Sequence, residues 1–241
     1  MNSSIKQFYD TGAAQYNFFE AALDLPTCPY PGLALLRHGE RAFLSSIARG
    51  SRVLYVGAGT GRHILALAKD GCRVTGVEFS AEMINICQKN LREGTVYSEI
   101  KPTTSGRLEY GFSPGDSQSV ILLQADINDL IFPDNFFDHA FCYCTLPLMG
   151  SDVWPQTLSK VLNSAKKSRI SIYNEHGLHI LAEAYSHFRL GEITSVIPLR
   201  TKSGFEYISI SDSSFKLAVQ KLGFQCKGLS LPTGRIYTCF K

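Results

Sequence analysis

The chain lacks any run of roughly 20 consecutive apolar residues, the length a membrane-spanning helix needs. Its opening, Met1-Asn2-Ser3-Ser4-Ile5-Lys6, leads into polar and aromatic positions rather than the apolar stretch of a secretory leader. A surplus of one charge is also missing: 24 Lys and Arg against 21 Asp and Glu leave a formal net charge of +3. That sets up no field favouring a polyanion, so composition does not point to nucleic acid. The seven cysteines, at 28, 72, 87, 142, 144, 226 and 239, are odd in number and form no C-x-x-C pair. They are therefore expected as small buried hydrophobes in a reducing cytoplasm, not as disulfide staples or thiolate metal ligands. Internal repeats and low-complexity tracts are absent. These absences together predict a cytoplasmic protein with no metal, membrane or nucleic-acid partner, and they leave its oligomeric state open.

What is present is material for one sizeable α/β domain. The 241 residues are 44% hydrophobic, with eleven tyrosines and fifteen phenylalanines, enough for a core and for aromatics to line a pocket. Strand and helix patterns alternate through the middle of the chain. Strands are predicted at Arg52–Val56, Arg73–Val77, Val120–Gln124, Phe137–Cys144 and Arg169–Tyr173. Helices are predicted at Arg62–Lys69, after the N-cap Ser80, at Val153–Ser164 and at Ser214–Leu222. The final strands, around Gln225–Leu229 and Arg235–Phe240, turn at Leu231-Pro232-Thr233-Gly234. The pattern implies a Rossmann-like three-layer sandwich, with a seven-stranded, mostly parallel sheet and an antiparallel last strand.

Four stretches follow from this. Residues 1–48 form a helical cap interrupted at Pro26–Pro31, 49–173 the core, 174–212 an inserted lid with a helix from His176 to Leu190 and a hairpin, and 213–241 the final helix and strand pair. Glu93–Ser119 is far longer than the usual connection of about 2–6 residues and is expected as a loop or small excursion. The basic run Lys166-Lys167-Ser168-Arg169 sits where a helix ends and a strand begins, and is expected as the helix C-terminus meeting solvent, since cations suit the dipole there.

The most informative segment is Val53-Leu54-Tyr55-Val56-Gly57-Ala58-Gly59-Thr60-Gly61-Arg62. A strand ends, glycines alternate with small residues, and a helix begins, so a ligand can lie against bare peptide groups. Dinucleotide folds use G-x-G-x-x-G to bring a helix N-terminus to a pyrophosphate. Here the third glycine comes one residue early, a tighter loop that suits a ligand without phosphates. Glu78, ending the second strand, offers a carboxylate to both hydroxyls of a ribose, and Phe79 beside it offers an apolar surface to a base. Asp126, in Leu122-Leu123-Gln124-Ala125-Asp126-Ile127, can accept from an exocyclic adenine amine. All three features stand at carboxyl ends of parallel strands, where open α/β sheets bind ligands.

These residues resemble the class I S-adenosylmethionine-dependent methyltransferases, small-molecule type, over most of Arg52–Tyr173. The resemblance implies that Gly57, Ala58, Gly59, Thr60 and Gly61 pass beneath the methionine part of S-adenosylmethionine. Glu78, Phe79, Met83, Asp126 and Ile127 would hold ribose and adenine, and the end of the fourth strand at Tyr143 would face the sulfonium. Tyr55 is a departure: the family usually has an acidic residue there, helping to hold the cofactor's ammonium. Either the tail is held differently or its amine is less encumbered, or the change is drift at a strand position.

A sulfonium makes its carbons electrophilic, so the protein chiefly aims a nucleophile and excludes water. Tyr9, Tyr16, Tyr143 and Tyr173 are the candidate aromatic groups at the reacting centre, with Asn174 and Tyr185 nearby. Tyr9 and Tyr16, seven residues apart, also fit one core-facing helix stripe. His176 is either a base for the acceptor or a surface residue at a helix start. His63, directly after the glycine loop, either approaches the cofactor or caps the helix near solvent. The expected reaction is methylation of a nitrogen or oxygen of a small metabolite. The alternative is intramolecular attack of the methionine amine on its γ-carbon, giving azetidine-2-carboxylate and methylthioadenosine.

Overall fold

The central strands are short, apolar on both faces and bounded by turn residues, the pattern of strands sandwiched between helix layers. The computed structural model describes residues 3–94, 96, 98–101, 120–187, 193–194, 199–201 and 206–241. Helices α1 (Ser3–Ala22) and α2 (Pro31–Leu44) precede β1 (Arg52–Val56), α3 (Arg62–Lys69), β2 (Arg73–Glu78) and α4 (Ala81–Glu93). Then come β3 (Ser98–Lys101), β4 (Val120–Gln124), β5 (Phe137–Tyr143), α5 (Trp154–Ser164), β6 (Ala165–Tyr173) and α6 (Glu175–His187). Three short strands follow, β7 (Ile193–Thr194), β8 (Leu199–Thr201) and β9 (Glu206–Tyr207), then α7 (Asp212–Lys221), β10 (Gln225–Leu231) and β11 (Gly234–Phe240).

The main sheet has the order β10-β11-β6-β5-β1-β2-β4-β3. Within it only β11 runs against its neighbours, pairing antiparallel with both β6 and β10. Seven of these strands make the expected Rossmann-like sheet. The eighth, β3, comes from the long connection after α4 and lies parallel to β4, with Ser98 beside Val120; residues 102–119 lie outside the described residues. Side chains alternate along β1. Val53 and Tyr55 join the core under α1, α2, α3, α4 and α6, while Leu54 and Val56 join the core under α5 and α7. This is the three-layer arrangement.

The basic run falls at the expected junction, with Lys166 and Lys167 exposed, but all of it lies on the strand side: α5 stops at Ser164 and β6 begins at Ala165, four residues before the predicted start. Its residues extend β6 to match the whole length of β11, with Lys167 opposite Phe240. Lys166 pairs with Asp138 at 2.8 Å. Arg169 is buried, its guanidinium over the rings of Phe43 (5.3 Å) and Phe141 (5.8 Å). The hairpin predicted as Thr194–Leu199 and Phe205–Ile210 with a turn at Thr201–Gly204 is replaced by three short strands, β8 pairing antiparallel with both β7 and β9, so that Thr194 and Leu199 fall in different strands and Thr201 ends β8. The rest of the predicted turn, 202–204, and the last predicted residues of the preceding helix, 188–190, lie outside the described residues.

Candidate active site

β1 ends against the glycine loop. Gly57 has φ +76°, and a Cβ there would overlap the Thr145 side chain; Gly61 has φ +85°, and a Cβ would overlap Cys87. No residue with a side chain fits either position. The amides of Gly57 and Ala58 both donate to Val77 O, at 2.9 and 3.0 Å, which ties the loop to the end of β2.

Glu78 stands at that end. Its Oε2 accepts from the Gly59 amide at 2.9 Å, and its Oε1 from the amides of Phe79 and Ser80 at 3.0 and 3.1 Å. Burial pushes its carboxyl pKa up, opposed by these three N–H groups. The side chain lines a pocket of about 680 Å³, its open mouth included, together with Phe79, Met83, Ala125 and Ile127 on one side and Gly57, Gly59 and Thr145 on the other. Asp126 lies between Ala125 and Ile127. Its Oδ1 accepts from the Asn128 amide at 2.9 Å and caps the short turn that follows.

The rest of the cavity is aromatic: Tyr9, Tyr16, Tyr143, Tyr173, Tyr185 and Tyr207 all line it. Tyr9 and Tyr207 share a hydroxyl–hydroxyl hydrogen bond of 3.0 Å, and Tyr9 and Tyr185 each meet Tyr16 edge to face. Burial pushes the Tyr9 phenol to about 12 and raises those of Tyr16, Tyr143, Tyr173, Tyr185 and Tyr207 well above their ordinary value. These phenols are neutral at any physiological pH. The glycine loop also borders a second chamber, of about 350 Å³, lined by Tyr55, Ala58, Thr60, Gly61 and His63 and by the charged residues Glu20, Arg37 and Arg62. The Tyr55 hydroxyl meets His63 Nδ1 at 2.6 Å.

Residues 54–168 match the family model described as a methyltransferase domain. This stretch belongs to that methyltransferase-domain family. No curated protein matches the chain by sequence. Solved structures of the same fold include magnesium protoporphyrin IX methyltransferase from Synechocystis with bound SAH. It is 15% identical, with 98% of this chain and 97% of that one covered at a TM-score of 0.64. The 1,6-didemethyltoxoflavin-N1-methyltransferase of Burkholderia thailandensis, bound to 1,6-didemethyltoxoflavin and S-adenosylhomocysteine, is 15% identical over 99% and 88%, with a TM-score of 0.59. The DhpI-SAM-HEP complex is 19% identical over 99% and 96%, with a TM-score of 0.62. At such identities the likeness is one of fold.

Within the methyltransferase domain, most residues read from the sequence divide between the two chambers, while Asp126 lines neither. Gly57, Gly59, Glu78, Phe79, Met83, Ile127 and Tyr143 border the larger, joined by Tyr9 and Tyr16 from α1 and by Tyr173 at the end of β6. Tyr55, Ala58, Thr60 and Gly61 border the smaller. His176 is not brought to either. The buried face of α6 carries Gly177, Leu178, Leu181, Ala184 and Tyr185, which turns His176 to solvent. Of its two sequence readings, the surface one holds. Asn174 caps the same helix, accepting from the Gly177 amide at 2.7 Å. His63 is buried rather than a solvent cap. Sequence reasoning missed Tyr207, Thr145, Glu20 and Arg37. For Arg37 a signal existed, since a cation at 37 and an acid at 40 fall among the apolar positions Leu33, Leu36 and Leu44 of α2.

Proposed function

We propose that this protein transfers the methyl group of S-adenosylmethionine to a nitrogen of a small metabolite, leaving S-adenosylhomocysteine. The observation that carries the reading is the make-up of the larger cavity. Its described lining holds six tyrosines, one carboxylate (Glu78) and no Lys, Arg or His. The residues fit the cofactor. The bare backbone at Gly57, which no Cβ can occupy, supports a close approach, and Glu78 with Phe79 and Met83 suits a ribose and its base. When bound, S-adenosylmethionine supplies an electrophilic methyl on a cationic sulfur.

The chain's own part is to hold, aim and dry. Tyr143 and Tyr16, which border both chambers, present aromatic faces and edges where a positive sulfur would lie. Tyr9, Tyr185 and Tyr207 close the cavity from α1, α6 and β9, excluding water from the attack. Neutral, high-pKa phenols accept or donate hydrogen bonds but do not remove a proton from a hydroxyl. Glu78 is engaged by three amides, and His176 faces solvent. An acceptor that is already nucleophilic, a free amine nitrogen, therefore suits this site better than an alcohol. A carboxylate or phosphate acceptor would find no counter-charge in the wall.

The test is a product assay with purified protein, S-adenosylmethionine and a panel of small amines and alcohols. Amine-dependent formation of S-adenosylhomocysteine is expected. Turnover confined to alcohols would overturn the choice of nitrogen. Methylthioadenosine formed without any acceptor would replace methyl transfer by cyclisation of the methionine tail.

A further inference from the structure

The smaller chamber is not needed to hold adenosine or to admit an acceptor, yet it is the more highly charged of the two. It shares Tyr16, Gly57, Gly59 and Tyr143 with the larger cavity, so the two meet at the glycine loop. A ligand with its sulfur near Tyr143 would extend any further group into this space.

Of the charged lining of the chamber, Glu20 and Arg37 come from α1 and α2, and Arg62, at the start of α3, is engaged by Asp24 and the Glu20 carbonyl. Arg37 donates through Nη2 to Glu20 Oε1 at 2.6 Å and through Nη1 to Glu40 Oε2 at 3.0 Å. Glu40 is fully buried, and Ser171 donates to its Oε1. Arg37 is thus fixed in place while three of its five N–H donors remain outside these two bonds. Glu20 gives one oxygen to Arg37; its other oxygen has no hydrogen-bond partner among the described residues. A carboxylate oxygen and a guanidinium therefore stand side by side beneath a loop of bare peptide. Their complement is a group carrying an ammonium and a carboxylate on one carbon, the head of an α-amino acid.

The strand position that is usually acidic in the resembling enzymes offers no anion here. Tyr55 occupies it, with its hydroxyl spent on His63. We infer that Glu20, reaching the chamber from α1, receives the α-ammonium of the cofactor's methionine moiety, with Arg37 on the carboxylate, so that the first helix supplies the acid that the strand has lost. This rests on the proposed use of S-adenosylmethionine. It makes α1 part of the cofactor site as well as a cover over the acceptor, because the same helix carries Tyr9, Tyr16 and Glu20.

Calorimetry with two ligands tests it. S-adenosylhomocysteine and 5′-methylthioadenosine share adenosine and a thioether, but only the first carries the amino-acid head. Glu20→Gln keeps the shape of the side chain and an oxygen for Arg37 while removing the charge. It is expected to weaken S-adenosylhomocysteine about tenfold or more, the usual loss for a hydrogen bond to a charged group, and to leave 5′-methylthioadenosine within about twofold. Equal losses for both ligands, or no loss for either, would overturn the assignment. Should the variant not fold, the wild-type protein decides through the analogue of S-adenosylhomocysteine with hydrogen in place of its amino group: binding as tight as the parent refutes the role of Glu20. Failure of the wild-type protein to bind either nucleoside would instead refute the reading of the cofactor itself.

Discussion

The two chambers on either side of the glycine loop are built by opposite means. The larger has aromatic and apolar walls with one carboxylate, and much of it comes from strand ends and the loops after them: Gly57, Glu78, Ala125, Tyr143, Thr145 and Tyr173. The smaller is charged, and its charges come from α1, α2 and the start of α3: Glu20, Arg37 and Arg62. The first is local chemistry at the carboxyl edge of a sheet. The second exists only because three successive helices pack over that edge. Under the proposed function, a site divided in this way would separate two tasks, with the wall that favours a cation and excludes water on one side and the polar grip on the other.

The charged chamber should be the easier to break. Arg37→Met leaves Glu40, which has no exposed surface, without its cation. Removing one partner of a buried pair destabilises a fold by about 3–5 kcal/mol, and a urea midpoint shift read at constant slope measures it. Adding Glu40→Gln to the same chain is expected to recover part of the loss. A single-variant loss below about 1 kcal/mol, the range of an exposed pair, would show that these charges do not act as one unit.

On the other side of the loop, Glu78→Ala should weaken S-adenosylhomocysteine by about 1.5–3 kcal/mol, the range for hydrogen bonds to a charged group. It should weaken 5′-methylthioadenosine by the same factor, because the ribose is common to both. That equality is the counterpart of the inequality expected for Glu20→Gln. If Glu78→Ala also separated the two ligands, the division of labour between the chambers would be wrong.

Tyr143 sharpens the comparison where the chambers meet, since it lines both and packs edge to face on Tyr55 and on His63. A cation held against an aromatic ring out of water gains about 2 kcal/mol. Tyr143→Leu is therefore expected to weaken S-adenosylmethionine about thirtyfold relative to S-adenosylhomocysteine, whose sulfur is neutral. The ratio of the two dissociation constants is the measurement, and an unchanged ratio would place the sulfonium elsewhere.

How legible each chamber was in the sequence follows from how it is built. Gly57–Gly61, Glu78 and Phe79 stand within 22 positions of one another at the ends of adjacent strands, so spacing alone could place them. The sheet was legible for the same reason: each strand carries its own apolar signal. Glu20 and Arg37 meet across 17 residues and two helices, and Ser171 reaches Glu40 across 131; no local period encodes such pairs. The earlier start of β6 has a related cause. Lys166 and Lys167 are exposed, as their charge suggests, but β11 pairs back along β6 as far as Lys167 and so makes strand of residues ahead of Arg169. His176, open in the sequence between a base and a surface residue, is exposed, because the stripe of α6 that packs inward starts one residue later.

The smallest effect expected is a pH dependence at His63, on the wall of the charged chamber. Burial, and then the positive fields of Arg37, Arg41 and Arg62, hold its pKa well below the usual value. The folded protein therefore keeps His63 neutral at pH values where the unfolded chain takes up a proton. The unfolded state binds more protons below about pH 6.5, so stability falls as pH drops through that value and is fully present above it. Between pH 6.5 and 5.5 this single group removes about 1 kcal/mol. His63→Gln, which still offers an acceptor to the Tyr55 hydroxyl, should abolish that share, visible as a smaller loss of unfolding free energy between the two pH values than in the wild type. Parallel losses would mean that His63 is protonated in the fold, adding a third cation beside Arg37 and Arg62. In that case the chamber would repel an incoming ammonium, and its match to an amino-acid head would fail on charge alone.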